Sequence, residues 1–290
     1  MPSLKVIRKR ISSVKSTQQI TRAMKMVAAA KLRRAQDAAT QARPFADKLR
    51  EQLAGVAARV DNTTSNPLLA IREEEKTIDL IVVTSDRGLC GGYNANLLRR
   101  AEEFLAEKAG SVVRLTVIGG KGASYFRKRG LAKHEEHTAM PGGPGHALAV
   151  QLGSRVSRDY ASGQTDAVYV LYSKFQSAMA QVPTVDKLLP VAGTASEDQT
   201  TDNLVDYIYE PDPASLLGRL LAQYINTLIY RSFLEAIASE HAARMTAMDS
   251  ATSNAGDMME RLTLAMNRAR QAAITTELME IVSGAEALKG

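Results

Sequence analysis

The sequence predicts an α/β domain between two long helices that pair as an antiparallel coiled coil. Apolar residues recur at three- and four-residue intervals toward both ends of the 290-residue chain, a pattern typical of helices that pack on other helices. Between these ends, short apolar runs alternate with helical patterns, which indicates a Rossmann-like parallel-sheet domain. We therefore expect an N-terminal long helix in residues 1–60, an α/β domain in residues 61–212 and a C-terminal long helix in residues 213–290.

The N-terminal helix is predicted to run from residue 4 to about residue 58. At about 1.5 Å per residue it would span roughly 80 Å, far more than the usual helix of a globular protein. Pro44 is expected to kink or loosen it locally. Its apolar stripe should be formed by Leu4, Ile7, Ile11, Val14, Ile20, Met24, Val27, Phe45, Leu49, Leu53 and Val56.

The C-terminal helix is predicted from residue 213 to residue 288, and no proline interrupts it after Pro213. It is longer than its partner by about 20 residues, so its last turns should project alone by roughly 30 Å. Apolar residues surround much of this tip, a distribution typical of an enclosed helix. They are Ile274, Leu278, Met279, Ile281, Val282 and Leu288.

The middle of the chain alternates between strand and helix patterns, which implies a parallel sheet with right-handed crossovers. The predicted strands are Thr77–Thr84, Val113–Ile118 and Ala167–Tyr172. The predicted helices are Tyr93–Lys108, Lys121–Lys128 and His146–Tyr160. We also expect an extended segment from Val182 to Val191, followed by a polar surface loop over Ala192–Asn203.

Charge is distributed unevenly along the chain, whose formal net charge is +6. The first 36 residues contain ten basic side chains and no acidic one. Such a helix fits nucleic acid, an anionic membrane surface or an acidic protein partner. It lacks aromatic residues for base stacking, which disfavours single-stranded nucleic acid. The N-terminus is too polar for a signal peptide, and no stretch approaches the roughly 20 apolar residues of a membrane span.

Several short motifs could suggest chemistry, but each has a stronger structural interpretation. Ser85–Asn94 and Gly119–Gly122 are glycine-rich loops after strands, yet neither has the spacing of a dinucleotide or phosphate loop, so we expect turns. His134–His137 is not a zinc-binding pattern and is expected to be a solvated loop. Cys90, the sole cysteine, is expected to be a packed thiol. We predict no catalytic residue, no cofactor and no metal.

Four segments in order carry a resemblance to the gamma subunits of F-type ATP synthases. Ile7–Gln36 resembles the N-terminal signature helix of that family, and Ala243–Leu288 resembles its C-terminal signature. The loop SDRGLCGGYNANL is similar to the family's first strand and turn. Tyr207–Pro213 resembles the segment before its long C-terminal helix.

This resemblance implies a non-catalytic rotor shaft that couples proton flow through a membrane c-ring to ATP synthesis or hydrolysis on the catalytic beta subunits. The implied partners are three alpha and three beta subunits, the epsilon subunit and the c-ring, with no nucleic acid and no direct membrane insertion. The implied location is the cytoplasmic face of the bacterial inner membrane, where the complex holds the chain. The regulatory cysteine pair of chloroplast relatives is missing, because Cys90 is alone.

The resemblance also carries over residue by residue. The positions that match contacts with catalytic-subunit loops are Met24, Lys25, Arg244, Arg268, Gln271, Thr275 and Glu280. The positions that match contacts with the c-ring are Tyr207, Tyr209 and Glu210.

Two other functions remain open from the residues alone. A nucleotide-binding enzyme with helical arms would bind its ligand through Ser85–Asn94. A coiled-coil nucleic-acid-binding protein would use the basic N-terminal helix, and its affinity would depend strongly on salt.

Overall fold

Two long helices occupy the ends of the chain: α1 (Leu4–Ala57), with 54 residues, and α5 (Pro213–Ala287), with 75. The computed structural model describes residues 4–57, 66–131, 133–137, 145–191 and 213–287. The chain divides into two compact units. The helical unit combines Met1–Ala28 with Met245–Gly290, and the α/β unit is Ala29–Arg244.

In the helical unit, α1 and α5 pair antiparallel, as predicted. Gln18 Nε2 donates to the Thr252 carbonyl oxygen at 3.3 Å, and Lys25 Nζ lies 2.6 Å from Asp249 Oδ1. Residue numbers therefore rise along α1 while they fall along α5. A hydroxyl–hydroxyl contact of 2.8 Å between Thr21 and Thr252 lies between these two pairs.

The inward stripe of α1 differs from the predicted one. Ile20, Val27 and Phe45 are 60%, 56% and 51% exposed, so the prediction that they face a partner was wrong. Burial follows an unbroken heptad spacing instead. Its buried or partly buried positions are Ile7, Ile11, Val14, Gln18, Thr21, Lys25, Ala28, Leu32, Ala35, Ala39, Ala42, Ala46, Leu49, Leu53 and Val56. Polar and alanine residues occupy the middle of this stripe, so an apolar pattern does not reveal it.

In the described part of the α/β unit, five strands form one sheet in the order β3-β2-β1-β4-β5. They are β1 (Thr77–Val83), β2 (Val112–Ile118), β3 (Lys133–His137), β4 (Ala167–Phe175) and β5 (Gln181–Leu189). The first four are parallel, and β5 runs antiparallel to β4. The connecting helices are α2 (Tyr93–Glu107), α3 (Gly120–Lys128) and α4 (His146–Ala161).

The structure corrects the prediction of a solvated loop at His134–His137. This segment belongs to β3, which pairs in parallel with β2 at the edge of the sheet. Its charges find partners there: Glu135 Oε2 lies 3.1 Å from Arg155 Nε on α4, and Glu135 Oε1 lies 2.8 Å from His137 Nε2. Charged side chains are common on edge strands, because they oppose pairing with another chain.

Both faces of the sheet are covered, as expected for a mainly parallel sheet. On one face, α4 and α5 pack through residues such as Leu152, Ile229 and Phe233. On the other face, α2 and α3 pack through residues such as Leu97 and Phe126. The carboxyl-terminal edge of the sheet therefore lies between two helical layers.

Candidate functional site

The carboxyl-terminal edge of the sheet is the first place to look for a ligand. From β1 the chain passes to β2 on one side, whereas β4 lies on the other side of β1. In doubly wound folds, such a switch point opens a crevice that binds ligands. The glycine-rich segment Ser85–Asn94 follows β1 at this point.

Hydrogen bonds within the segment hold Ser85–Asn94 in place. Asn94 Oδ1 accepts from the Ser85 backbone amide at 3.1 Å, and Ser85 Oγ donates to the Arg87 carbonyl at 2.7 Å. Asn94 Nδ2 lies 3.2 Å from Cys90 Sγ. Cys90 is 2% exposed, which confirms the predicted packed thiol. The segment therefore turns the chain between β1 and α2. The Ser85 amide donates its hydrogen bond to Asn94, so it is not available to a ligand.

The second glycine-rich segment also packs internally. Gly119 has φ +99°, and a Cβ atom there would lie 2.2 Å from the Thr84 carbonyl oxygen. The Gly122 amide donates to Thr84 Oγ1 at 2.9 Å, and the Gly120 amide donates to Asp86 Oδ1 at 3.1 Å. Close packing against Thr84 explains why these positions are glycine. The first amides of α3 donate hydrogen bonds to side chains of this chain, so they are not available to a ligand. The predicted turn is confined to Gly119, because Gly120–Gly122 form the first residues of α3.

Helix α5 crosses the crevice itself. The Tyr93 hydroxyl donates to the Ala236 carbonyl at 3.2 Å, and Ser239 Oγ donates to the Ser173 carbonyl at the end of β4 at 2.8 Å. Both contacts are buried. The switch point is therefore filled by the chain's own helix, an arrangement that disfavours nucleotide binding there.

Charged groups surround the next turn of α5. Arg244 Nη1 contacts Glu240 Oε1 at 2.7 Å, and Arg244 Nη2 donates to the Gly88 carbonyl at 3.3 Å. Burial raises the pKa of Glu240, although Arg244 opposes the shift. Burial, followed by the positive charges of Arg244 and Lys31, lowers the pKa of His241 to about 4. His241 is therefore neutral near pH 7.

The residues expected to contact catalytic subunits lie in two settings. Met24 is partly buried, and Lys25 pairs with Asp249 while its side chain remains 41% exposed. The Arg244 side chain is 13% exposed and bonds within the chain. The remaining four, Arg268, Gln271, Thr275 and Glu280, are exposed along the end of α5.

The end of α5 exposes a group of large apolar side chains. Their exposed fractions run from 49% for Ile274 to 68% for Ile281. The group also includes Leu278, Met279 and Val282. Exposed apolar patches of this kind mark interaction sites. Leu288, which the sequence assigned to the same tip, lies outside the described residues.

The three expected c-ring contacts, Tyr207, Tyr209 and Glu210, also lie outside the described residues, as does the loop predicted over Ala192–Asn203. Among the described residues, no group of His, Cys, Asp and Glu has the arrangement of a metal site. In the same part of the chain, no helix combines the length and hydropathy needed to cross a membrane.

Sequence reasoning missed the contacts that join α5 to the sheet edge. Ser239 and Tyr93 each contribute a single hydroxyl group, and no periodic pattern identifies them. It also missed the polar layer of the helical unit, formed by Gln18, Thr21 and Thr252. The heptad spacing of α1 is the signal that could have revealed this layer.

Comparison with known proteins gives matches along the whole chain. A family model described as ATP synthase matches residues 3–288. The ATP synthase gamma chain of Chlorobium phaeobacteroides (strain BS1) is 48% identical over 295 residues, and that of Anaeromyxobacter sp. (strain Fw109-5) is 49% identical over 293 residues. Both alignments cover 100% of each chain. A chain from the central stalk and c-ring of Tetrahymena thermophila mitochondrial ATP synthase is 27% identical, with a TM-score of 0.60. That match covers 80% of this chain and 99% of the other.

Proposed function

The chain belongs to the ATP synthase gamma-chain family, and we propose that it is the rotor shaft that couples proton flow to ATP synthesis or hydrolysis. Its partners would be three alpha and three beta subunits, an epsilon subunit and a membrane c-ring. Catalysis would take place on the beta subunits, and this chain would supply no catalytic group. The complex would hold it at the cytoplasmic face of the bacterial inner membrane.

The observation that carries this proposal is the exposed apolar end of α5. Ile274, Leu278 and Ile281 are 49%, 57% and 68% exposed. Such a surface needs an apolar enclosure, and a sleeve formed by alpha and beta subunits would supply one. Apolar contacts are non-directional, so they would hold a turning helix without fixing its angle.

Exposed polar residues on the same segment suit contacts that depend on the angle of rotation. Arg268, Gln271 and Glu280 are exposed and can form directional hydrogen bonds with the surrounding subunits. Thr275 Oγ1 donates to the Gln271 carbonyl of its own helix at 2.9 Å. We propose that these four residues contact loops of the catalytic subunits.

A shaft must also keep its two helices in fixed register. The polar layer of Gln18, Thr21 and Thr252 supports this requirement, because polar groups inside a helical pair tolerate few alternative alignments. Lys25 and Asp249 lie beside this layer, and Lys25 Nζ is 2.6 Å from Asp249 Oδ1. This pair is too exposed to contribute more than about 1 kcal/mol. Lys25 could therefore exchange Asp249 for a loop of a catalytic subunit, and we propose that Lys25 and the neighbouring Met24 contact these loops.

The basic face of α1 gives a second kind of contact. Arg8, Arg22 and Arg33 are exposed, and acidic loops of the beta subunits would be attracted to them. Each exposed pair contributes only about 0–1 kcal/mol, so the attraction must be collective. For the other partner, the c-ring, we propose contacts through Tyr207, Tyr209 and Glu210.

The proposal is tested by rebuilding the synthase with and without this chain. A tagged chain should co-purify with alpha and beta subunits, and the rebuilt complex in vesicles should pump protons when ATP is added. The matched preparation without the chain should hydrolyse ATP without pumping. Equal pumping by both preparations would contradict the proposal.

A further inference from the structure

Three contacts join α5 to the carboxyl-terminal edge of the sheet: two reach the end of β4, and one reaches Tyr93, the first residue of α2 after β1. The Tyr93 hydroxyl bonds to the Ala236 carbonyl at 3.2 Å, and Ser239 Oγ bonds to the Ser173 carbonyl at 2.8 Å. The third is a backbone amide bond, from Phe175 to Glu235 Oε2 at 3.3 Å. We call Tyr93, Glu235 and Ser239 the edge anchor.

Burial makes the two hydroxyl contacts costly to break. Ser239 is 0% exposed and Tyr93 is 5% exposed. Burial, reinforced by the negative charge of Glu240, raises the pKa of Tyr93 well above its ordinary value, so its hydroxyl stays protonated and donates. When a buried hydrogen bond is lost, the remaining polar group has neither its partner nor water to bond with, and this destabilises the folded state.

Hydrogen bonds add something that the apolar contacts of α5 do not. Ile225, Ile229 and Phe233 pack on the sheet face, but apolar packing tolerates small rotations and shifts. Hydrogen bonds depend on both distance and angle. Three of them within residues 235–239 of α5 therefore fix how that helix is turned and how far it extends along the sheet edge.

We propose that the edge anchor fixes α5 to the sheet so that torque passes between the helix and the α/β unit. This inference rests on the rotor function proposed above and assigns positioning residues to it. A crevice that binds ligands in other doubly wound proteins is used here as the seat of a helix. The anchor acts between two parts of one chain and needs no bound ligand.

The chain offers matched controls for each anchor residue. Tyr93→Phe and Ser239→Ala remove the two anchor hydroxyls. Tyr160→Phe and Ser232→Ala remove hydroxyls of similar burial that bond to the Ala70 carbonyl and, within α5, to the Leu228 carbonyl. These controls remove the same kinds of hydroxyl group from the same unit, but they leave the contacts between α5 and the sheet edge intact.

Glu235 gives an independent test that separates its two roles. Glu235→Gln keeps an oxygen that can accept from the Phe175 amide, whereas Glu235→Ala removes it. Both variants lose the charge that faces Arg231, whose Nε lies 3.5 Å from Glu235 Oε1. A difference between the two variants therefore reports the hydrogen bond and not the ion pair.

The experiment compares the anchor variant Tyr93→Phe/Ser239→Ala with the control variant Tyr160→Phe/Ser232→Ala. Hydrogen exchange on the full chain should be faster at amides 236–244 in the anchor variant, by roughly three- to tenfold for each lost bond. In the rebuilt synthase, the anchor variant should hydrolyse ATP but pump fewer protons per ATP than the control variant. Glu235→Ala should pump fewer than Glu235→Gln.

Unchanged exchange at amides 236–244 would overturn the inference, and so would equal pumping by the anchor and control variants. If the anchor variant fails to assemble, the comparison of Glu235→Ala with Glu235→Gln decides, and equal pumping by these two overturns it. The rotor proposal is tested separately by the complex without the chain. Full pumping by that complex contradicts the rotor function, whereas full pumping by the anchor variant contradicts the anchor alone.

Discussion

Arg114 holds Asp79 inside the sheet through two hydrogen bonds, from Nε at 2.6 Å and from Nη2 at 2.9 Å. Asp79 lies in β1 with no exposed surface. Arg155 approaches the same carboxylate at 3.4 Å, and Arg114 also reaches Asp159 at 2.9 Å. Two guanidinium groups are thus compensated by one carboxylate of β1 and one of α4.

Asp79→Ala should destabilise the α/β unit by up to about 3 kcal/mol, because it removes the buried carboxylate and leaves Arg114 and Arg155 with only their partly exposed partners Asp159 and Glu135. Urea unfolding followed by tyrosine fluorescence measures the loss. The control is Glu51→Ala, which removes the exposed partner of Lys48 and should cost no more than about 1 kcal/mol. Equal losses of unfolding free energy in the two variants would show that the buried Asp79 contributes no more to stability than the exposed Glu51.

Gly119→Ala should destabilise the protein by about 1–3 kcal/mol or more, because Gly119 has φ +99° and a Cβ atom would strike the Thr84 carbonyl. Gly110→Ala is the matched control. A Cβ atom at Gly110 meets nothing within 4 Å, so that substitution should be neutral or stabilising by up to about 1 kcal/mol. Thermal unfolding of both variants gives the comparison, and a tolerated Gly119→Ala would contradict the packing argument.

Glu75 should make stability depend on pH in the acidic range. Burial alone would raise the pKa of Glu75, but hydrogen bonds from Lys108, Lys187 and Tyr169 together lower its pKa from 4.5 to about 2. The folded state therefore binds the proton less readily than the unfolded state. The contribution is fully present above about pH 4.5 and is lost as pH falls toward about 2. Urea unfolding of Glu75→Gln across this window should show a weaker pH dependence than the parent protein.

His241 should make stability depend on pH over a higher pH range than Glu75 does. Because its folded pKa is about 4 and its ordinary value is 6.5, the unfolded chain takes up a proton first as pH falls. The stability contributed by neutral His241 is present above about pH 6.5 and is lost as pH falls toward about 4. His241→Asn should flatten the dependence between these values. His146→Asn, which changes an exposed residue on α4, should leave it in place.

The sequence predicted the elements whose signals are local. Apolar runs identified β1, β2 and β4, and an apolar face without any proline after Pro213 indicated α5. It did not predict β3, because the charges of Glu135 and Glu136 hide a strand whose position is set by pairing with β2. It misplaced the middle of the α1 stripe, where Gln18 and Thr21 face inward and a search for apolar residues passes over them.

The candidate site was less predictable than the fold. The glycines after β1 predicted the turn that the structure has there, whereas the turn predicted over Gly119–Gly122 is confined to Gly119. The edge anchor was not foreseen, because the Ser239 contact joins residues 66 positions apart in the chain and the Tyr93 contact joins residues 143 apart. Such contacts depend on how α5 crosses the folded sheet, and no local pattern in the sequence encodes that crossing.

The central claim is that this chain turns inside its complex, and direct observation of rotation tests it best. Met179→Cys places a label on a turn where the side chain is 86% exposed, while Cys90 is 2% exposed and protected from labelling. The alpha and beta subunits are fixed to a surface, and a bead on the label is followed under a microscope. The account predicts rotation in one direction that begins when ATP is added and stops when ATP is removed. A bead that stays still while the same complexes hydrolyse ATP would contradict it.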